Sequence, residues 1–440
     1  MRLEARRRPL EGSFRPPGDK SVSHRAALLA GAARGRSCLR GLAPGADVAS
    51  TLRALEALGV RLERRPERGG ETVVESPGLD AWAEPADVVD CGNSGTTIRL
   101  LAGLLAARPG LAVLTGDTSL RRRPMDRVAE PLRAMGASVD GREGGRYAPL
   151  VVRGGPLRPL AWRSPVASAQ VKSAILLAAL RAPGETAVWE PVPSRDHTER
   201  LYAWLGLPIR TGGSGGEEPA GGPPPVRLAG PASPPPFALE VPGDPSGAFP
   251  YAVQAALTPG SELEIEGVLL NPLRLGGYRL LERMGARLEL VREGEAGGEP
   301  VGRIRVRASA LGAIEVRPEE VPAAVDELPL LAVAACAAEG ESRFLGLGEL
   351  RVKESDRLHA MAAGLRAMGL PVEEEGDGWR VRGPARGHGA ALESAGDHRV
   401  AMALAVAAWT LLAPGEVAEL EGAESVAISD PDFFRRAGVA

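Results

Sequence analysis

Lysine is nearly absent from this chain. Its 53 basic residues are 50 arginines and three lysines, Lys20, Lys172 and Lys353. Amide side chains are as scarce: Asn93, Asn271, Gln170 and Gln254 are the full complement. A composition biased toward arginine and against thermolabile amides produces this pattern. The survivors are therefore informative, because lysine is a compact charge that can shift its pKa and pass a proton, which arginine cannot do. Aromatic residues make up 4% of a chain that is 44% hydrophobic, so its cores must be mainly aliphatic. Three cysteines, at 38, 91 and 336, show no CxxC or metal-ligand spacing, which excludes a disulfide framework and fits a reducing cytoplasm. No apolar run approaches the ~18 residues of a membrane helix. The opening MRLEARRRPLEG is charged and leads into no apolar stretch, so no signal peptide is expected. A net charge of −3 gives no general argument for nucleic acid or membrane binding. HExxH, Walker, Rossmann and Gly-x-Ser-x-Gly motifs are missing, and neither a metal nor a cofactor is expected.

What is present is a repeated unit. The 440 residues contain six copies of a polar cluster followed by an alanine-rich apolar helix and then Gly or Pro-Gly. The copies are GDKSVSHRAALLAGAARG, CGNSGTTIRLLAGLLAARPG, SAQVKSAILLAALRAPG, GDPSGAFPYAVQAALTPG, VDELPLLAVAACAAEG and GDHRVAMALAVAAWTLLAPG. Lys20, Ser94, Gln170, Ser246, Glu327 and His398 mark them, at steps of 74, 76, 76, 81 and 71 residues. Between the copies lies a second signature, a helix end running into a strand, with glycines at 59, 136, 206, 285, 369 and 438. Two signatures sharing one period indicate duplication. β-like runs such as ETVVES, APLVVRG and GRIRVRAS complete each unit as two helices and about four strands, an α+β fold. The first helix of a unit is apolar nearly all round and should be buried; the second is amphipathic and should lie outside. Residues 211–236 form the most Gly/Pro-rich stretch, readable as an inter-domain linker or as a hairpin tip in the third unit. The fourth unit begins near Val241–Asp244, leaving three units on either side and two similar domains.

The apolar helices hardly vary between copies, whereas the polar clusters before them differ at every copy. That pattern suits scaffold helices whose N-terminal ends supply different groups to one site. A helix N-terminus carries free N–H groups and about half a positive charge, so it attracts anions, phosphate above all. The cations at hand are Lys20, Arg25, Arg123, Lys353, Arg357 and Arg399, with Asp326 and Glu354 as carboxylates. Many cations around few carboxylates suit a polyanionic substrate, with acid and base work by the carboxylates and a lysine. In ELRVKESDRL, helical spacing would put Lys353 and Arg357 on one face.

The set PGDKSVSHR, GNSGTTIR, GDTSLRRRPM, SAQVKSA, SRDHTER, DELP, LRVKESDRL and GDHRVAM, in this order over nearly the whole chain, resembles the EPSP synthases (3-phosphoshikimate 1-carboxyvinyltransferases), in particular their second class. The resemblance implies two domains of three βαβαββ units each, an enolpyruvyl transferase-like inside-out α/β barrel. Residues 1–18 with 242–440 would form a discontinuous domain carrying repeats four to six. Residues 19–241 would form an inserted domain carrying repeats one to three. It also implies transfer of the enolpyruvyl group of phosphoenolpyruvate to the 5-hydroxyl of shikimate 3-phosphate with release of phosphate, by a cytoplasmic monomer in the route to aromatic amino acids. Carried over by motif, Lys20, Gly95, Arg123, Gln170, Arg357 and Arg399 resemble the phosphoenolpyruvate contacts. Lys20, Ser21, Arg25, Ser168, Gln170, Arg195, Asp326 and Lys353 resemble the shikimate 3-phosphate contacts. Asp326 looks like the base on the 5-hydroxyl, and Glu354 and Lys20 like the proton-transfer groups.

Departures from the family pattern are also present. The lysine that many members carry near the C-terminus is missing from VAISDPDFF, where Ile428 and Asp430 stand. Glu349 replaces an Asn of the first class, Ala169 replaces a Ser, and Leu100 replaces a Pro. Gly95 leaves the phosphoenolpyruvate pocket open, so sensitivity to glyphosate is expected. Two alternatives are the sister transferase acting on UDP-N-acetylglucosamine and a non-catalytic anion-binding module. The first needs a loop cysteine, and none of Cys38, Cys91 or Cys336 lies beside the Arg123 loop. The second would have no need of both Asp326 and Glu354.

Overall fold

The computed structural model describes residues 1–6, 8–212 and 222–437, and Gly438 of the second repeat signature lies outside them. Its contacts divide the chain into two units: Met1–Pro17 with Gly243–Gly294 and Pro300–Ala440, and Gly18–Pro242 with Glu295–Glu299.

The unit built on Gly18–Pro242 holds three four-stranded sheets of one design. In the second repeat, strand Val89–Asp90 runs parallel to Gly110–Thr115, which pairs antiparallel with Tyr147–Gly154, and that strand pairs antiparallel with Ser138–Gly141. The parallel pair requires a crossover, which helix Gly95–Ala106 supplies, and helix Asp126–Met135 provides the second connection. The order is therefore βαβαββ. The third repeat has the same plan from Ala161–Arg163 to Val226–Gly230. Strands Ile209–Thr211 and Val226–Gly230 pair antiparallel, so the described ends of the Gly/Pro-rich stretch belong to a hairpin of the third repeat. The first repeat takes its opening strand from far along the chain: Ala238–Glu240 lies parallel to Arg34–Arg40.

The other unit repeats the plan with four-stranded sheets in the fourth and fifth repeats and a three-stranded sheet in the sixth. Strand Glu11–Phe14 opens the fourth repeat, parallel to Glu262–Leu269. The fifth runs from Glu315–Val316 to Trp379–Gly383. The sixth pairs Ala391–Glu393 with Val417–Glu421 and is completed by Arg2–Glu4 from the chain start. The molecule is thus α+β, with two similar domains of three βαβαββ units.

The first helix of each repeat is buried almost all round; every residue of Lys20–Ala32 from Val22 onward is inside. Small side chains make this packing possible. A Cβ on Gly103 would meet the Ala174 carbonyl at 2.3 Å, so helices Gly95–Ala106 and Ala169–Ala179 touch through their backbones. Alanine and glycine at such contacts let these two helices approach this closely, while leucines fill the space around them, and Phe249, Tyr251 and Trp409 add aromatic bulk in the other unit. The outer helices end where the glycine signature predicts, with Gly59, Gly136, Gly206, Gly285 and Gly369 all at positive φ. Exposed strand faces carry Arg–Glu pairs, such as Arg305 with Glu264 and Arg382 with Glu341, each contributing little alone.

Candidate active site

Five of the six core helices begin with a side-chain cap. Asp19 accepts from Val22 N at 2.7 Å, Ser94 from Thr97 N at 3.1 Å and Ser168 from Val171 N at 3.5 Å. Asp244 accepts from Ser246 N and Asp397 from Arg399 N, both at 2.8 Å. Glu327 starts the fifth helix without a side-chain cap; its carboxylate instead accepts from the Ser246 hydroxyl.

In the Gly18–Pro242 unit, two helix N-termini bring several expected residues together. Gln170 accepts from Arg99 Nη1 at 2.6 Å and donates through Nε2 to Thr96 Oγ1 at 3.0 Å. A Cβ on Gly95 would lie 2.9 Å from Arg99 Nη1 and 3.2 Å from Arg123 Nη1, so Gly95, Arg99, Arg123 and Gln170 share one corner. Arg123 in turn donates to Asn93 Oδ1 at 2.6 Å. Lys20 pairs with Asp47 at 3.1 Å. Arg25 is buried, and each of its three guanidinium nitrogens donates to a neutral oxygen: Nε to Thr198 Oγ1 at 2.8 Å, Nη2 to Ser173 Oγ at 2.8 Å and Nη1 to the Ser21 carbonyl at 3.0 Å. Burial, only partly offset by the more distant carboxylates of Glu199 and Asp19, lowers its pKa to about 10. Beside it, burial first and then Lys20 and Arg25 hold the His24 imidazole well below its usual pKa. Arg195 is half-buried on the loop between strand Gly184–Trp189 and helix His197–Trp204.

In the other unit, Arg357 forms the second cluster. Its guanidinium is 2% exposed and meets Asp397 at 2.8 Å, Glu354 at 2.5 Å and Asp326 at 3.4 Å. Burial alone would lower its pKa, but the three carboxylates outweigh burial and raise it. Arg399 is buried and donates to the Ser246 carbonyl at 2.8 Å. Lys353 stands apart from the Arg357 cluster and pairs with Glu349 at 3.2 Å. The helical face expected for Lys353 and Arg357 does not form. Asp356 is the N-cap, accepting from His359 N at 3.0 Å, so the helix begins only at Arg357 and Lys353 has non-helical backbone angles. The cap hydrogen bond stabilises the break that the i,i+4 spacing ignores. The departure at the C-terminus has a structural role. Asp430 accepts from Arg436 at 2.6 Å and from the Tyr251 hydroxyl at 3.2 Å, anchoring the last turns.

Four residues that the sequence does not single out for the site join these clusters: Arg99, Asp47, Thr96 and Asp397. Arg99 has a visible signal, a single charge inside an apolar helix, and Asn93 has its rarity. Among the described residues, no group of three or more His, Cys, Asp or Glu side chains is arranged to hold a metal ion, and no helix is long and apolar enough to cross a membrane.

The EPSP synthase (3-phosphoshikimate 1-carboxyvinyltransferase) family model matches residues 5–436. A 3-phosphoshikimate 1-carboxyvinyltransferase of Thermus thermophilus is 52% identical over 429 residues, covering 97% of this chain and 96% of that protein. The same-named protein of Prochlorococcus marinus is 48% identical over 427 residues, covering 97% and 94%. Among solved structures, an EPSP synthase from Acinetobacter baumannii superposes with a TM-score of 0.86 at 38% identity, covering 100% of this chain and 97% of that one. The enolpyruvyl transferase NikO of Streptomyces tendae, at 18% identity and a TM-score of 0.76 over 100% and 96% of the chains, shares the fold. The motifs, the sixfold βαβαββ plan and these matches agree, and the chain belongs to the EPSP synthase family.

Proposed function

We propose that the chain joins phosphoenolpyruvate to shikimate 3-phosphate through the residues described above, acting as a cytoplasmic monomer. The 5-hydroxyl oxygen of shikimate 3-phosphate bonds to C2 of the enol as Asp326 takes the hydroxyl proton, while C3 gains a proton from Glu354 or Lys20. The tetrahedral adduct then expels phosphate and returns a proton from C3, leaving the enolpyruvyl ether. Lys20, Gly95, Arg123, Gln170, Arg357 and Arg399 would hold phosphoenolpyruvate. Lys20, Ser21, Arg25, Ser168, Gln170, Arg195, Asp326 and Lys353 would hold the acceptor. The domains that carry them are 1–18 with 242–440, and 19–241.

One observation carries the catalytic assignment: Asp326 and Glu354 share the buried guanidinium of Arg357. Asp326, held as a carboxylate, can take the hydroxyl proton; Glu354, ionised beside Arg357, gives a proton to C3 only after taking one up, and one fixed cation keeps both oriented. The cysteine route of the sister transferase has no support, since burial raises the pKa of Cys91, and that of Cys336 to about 12.

The test is phosphate release from phosphoenolpyruvate with shikimate 3-phosphate or UDP-N-acetylglucosamine as acceptor. Release with the first alone is expected. Release with the second alone would point to the sister activity, and none with either would leave an anion-binding module. Glyphosate should inhibit, and a curve flat into the millimolar range would contradict an open pocket at Gly95.

A further inference from the structure

Of the three lysines that survive the arginine bias, Lys172 has no part in the chemistry above. It lies in helix Ala169–Ala179 with 3% of its side chain exposed. Its ammonium reaches three oxygens on different segments: Glu190 at 2.7 Å, Glu199 at 2.7 Å and the Ser194 carbonyl at 3.4 Å. Burial by itself would strip its charge, yet the two glutamates outweigh burial and leave the pKa raised.

Each of these contacts leads to an acceptor-binding residue. Glu190 accepts the Ser168 backbone N–H at 3.1 Å, fixing the residue that caps the helix. Ser194 precedes Arg195, and its own N–H returns to Glu190 at 3.4 Å. Glu199 follows Thr198, whose hydroxyl accepts from Arg25 Nε at 2.8 Å and meets the Ser173 hydroxyl at 2.7 Å. Ser173 is the neighbour of Lys172 and accepts from Arg25 Nη2 at 2.8 Å. An ammonium with three tetrahedral donors can tie three segments at one point, whereas a planar guanidinium directs its donors into one plane. That geometry gives a physical reason for lysine in a chain that otherwise uses arginine.

We infer that Lys172 is a positioning residue for the acceptor: through Glu190 and Glu199 it sets Ser168, the Arg195 loop and the hydroxyl pair that orients Arg25. This rests on the proposed assignment of those three residues to shikimate 3-phosphate. Arg123 and Gly95, assigned to phosphoenolpyruvate alone, make none of these contacts, and Gln170, assigned to both substrates, is held by Arg99 and Thr96 instead, so the effect should fall mainly on the acceptor.

The experiment measures initial rates with each substrate varied, on the wild-type chain and on Lys172→Met, Lys172→Arg and Lys172→Met/Glu199→Gln, with a melting curve for each. Lys172→Met leaves two buried carboxylates without their cation, and KM for shikimate 3-phosphate should rise about tenfold or more, with KM for phosphoenolpyruvate within about threefold. Removing one of those carboxylates in the double variant relieves a stranded charge without restoring the tie, so it should recover melting temperature and leave the acceptor KM raised. Lys172→Arg, which keeps the charge but not the three-way geometry, should still raise the acceptor KM about threefold. Equal changes in both KM values, a near-wild-type acceptor KM in the double variant, or wild-type constants for Lys172→Arg would each overturn the inference. If Lys172→Met does not fold, Lys172→Arg decides alone. A wild-type chain that turns over neither substrate would instead remove the functional reading itself.

Discussion

Arg25 and Arg357 are both buried guanidinium groups, one in each unit, and their surroundings are opposite in kind. Arg25 gives its hydrogen bonds to two hydroxyls and a carbonyl, and burial draws its pKa down to about 10. Arg357 sits among three carboxylates that together raise its pKa. A buried cation facing only neutral oxygens has its charge unspent, so an arriving anion recovers part of the desolvation cost. A buried cation already matched by carboxylates gains less from an anion and instead holds those carboxylates in place. On the proposed assignment, Arg25 would serve to bind the acceptor, while Arg357, placed at phosphoenolpyruvate, would chiefly hold Asp326 and Glu354 in position.

The comparison breaks most visibly at Arg357. Arg357→Met strands Asp326, Glu354 and the fully buried Asp397, and should cost about 3–5 kcal/mol in denaturant unfolding. The rate should fall by about a thousandfold, the scale of losing a major electrostatic group. Arg25→Met is the counterpart, with equal burial and the opposite expectation for stability. The Thr198 and Ser173 hydroxyls still satisfy each other, so unfolding should shift by about 1 kcal/mol or less. Gly95→Ala ranks next. Its Cβ would press on the ends of Arg99 and Arg123, which can move, so KM for phosphoenolpyruvate and the glyphosate needed for half inhibition should each rise about tenfold.

A smaller effect reports the field around Arg25. The His24 pKa lies well below its ordinary 6.5 in the folded chain, so the folded state binds fewer protons than the unfolded one as pH drops. The stability this contributes is complete above about pH 6.5 and is lost on acidification, by at most about 1.4 kcal/mol per pH unit. Urea melts from neutral pH downward should show that slope, and His24→Gln should flatten it. Smallest of all, a thiol reagent should reach only the half-buried Cys38, in strand Arg34–Arg40 and outside the assigned site, and leave native activity unchanged over the lifetime of the assay, since Cys91 and Cys336 are buried with raised pKa values.

Much of this architecture can be read from the chain because its signals are local. A polar cluster followed by an apolar run marks each core helix within a dozen residues, and the positive-φ glycines mark the ends of the outer helices. Repetition then turns weak local signals into a fold. Partners that meet only through packing are another matter. Nothing near Lys172 in sequence points to Glu190 or Glu199, which resemble ordinary surface acids until the third repeat folds around them. Asp397 reads as a helix cap, which it is, but its second role on Arg357 depends on a segment forty residues away. The stretch ahead of Arg357 misleads for a local reason, because Asp356 serves equally well as a helix-interior acid or as a cap, and the cap hydrogen bond decides.

The most direct test of the difference between the two arginines is calorimetric titration of the wild-type chain and Arg25→Met with shikimate 3-phosphate, alongside their melting curves. Arg25→Met is expected to bind at least about a hundredfold more weakly, a loss near 2.7 kcal/mol, while melting within a few degrees of the wild type. Equal affinity for shikimate 3-phosphate, or a loss of stability as large as that of Arg357→Met, would contradict the division of roles between them.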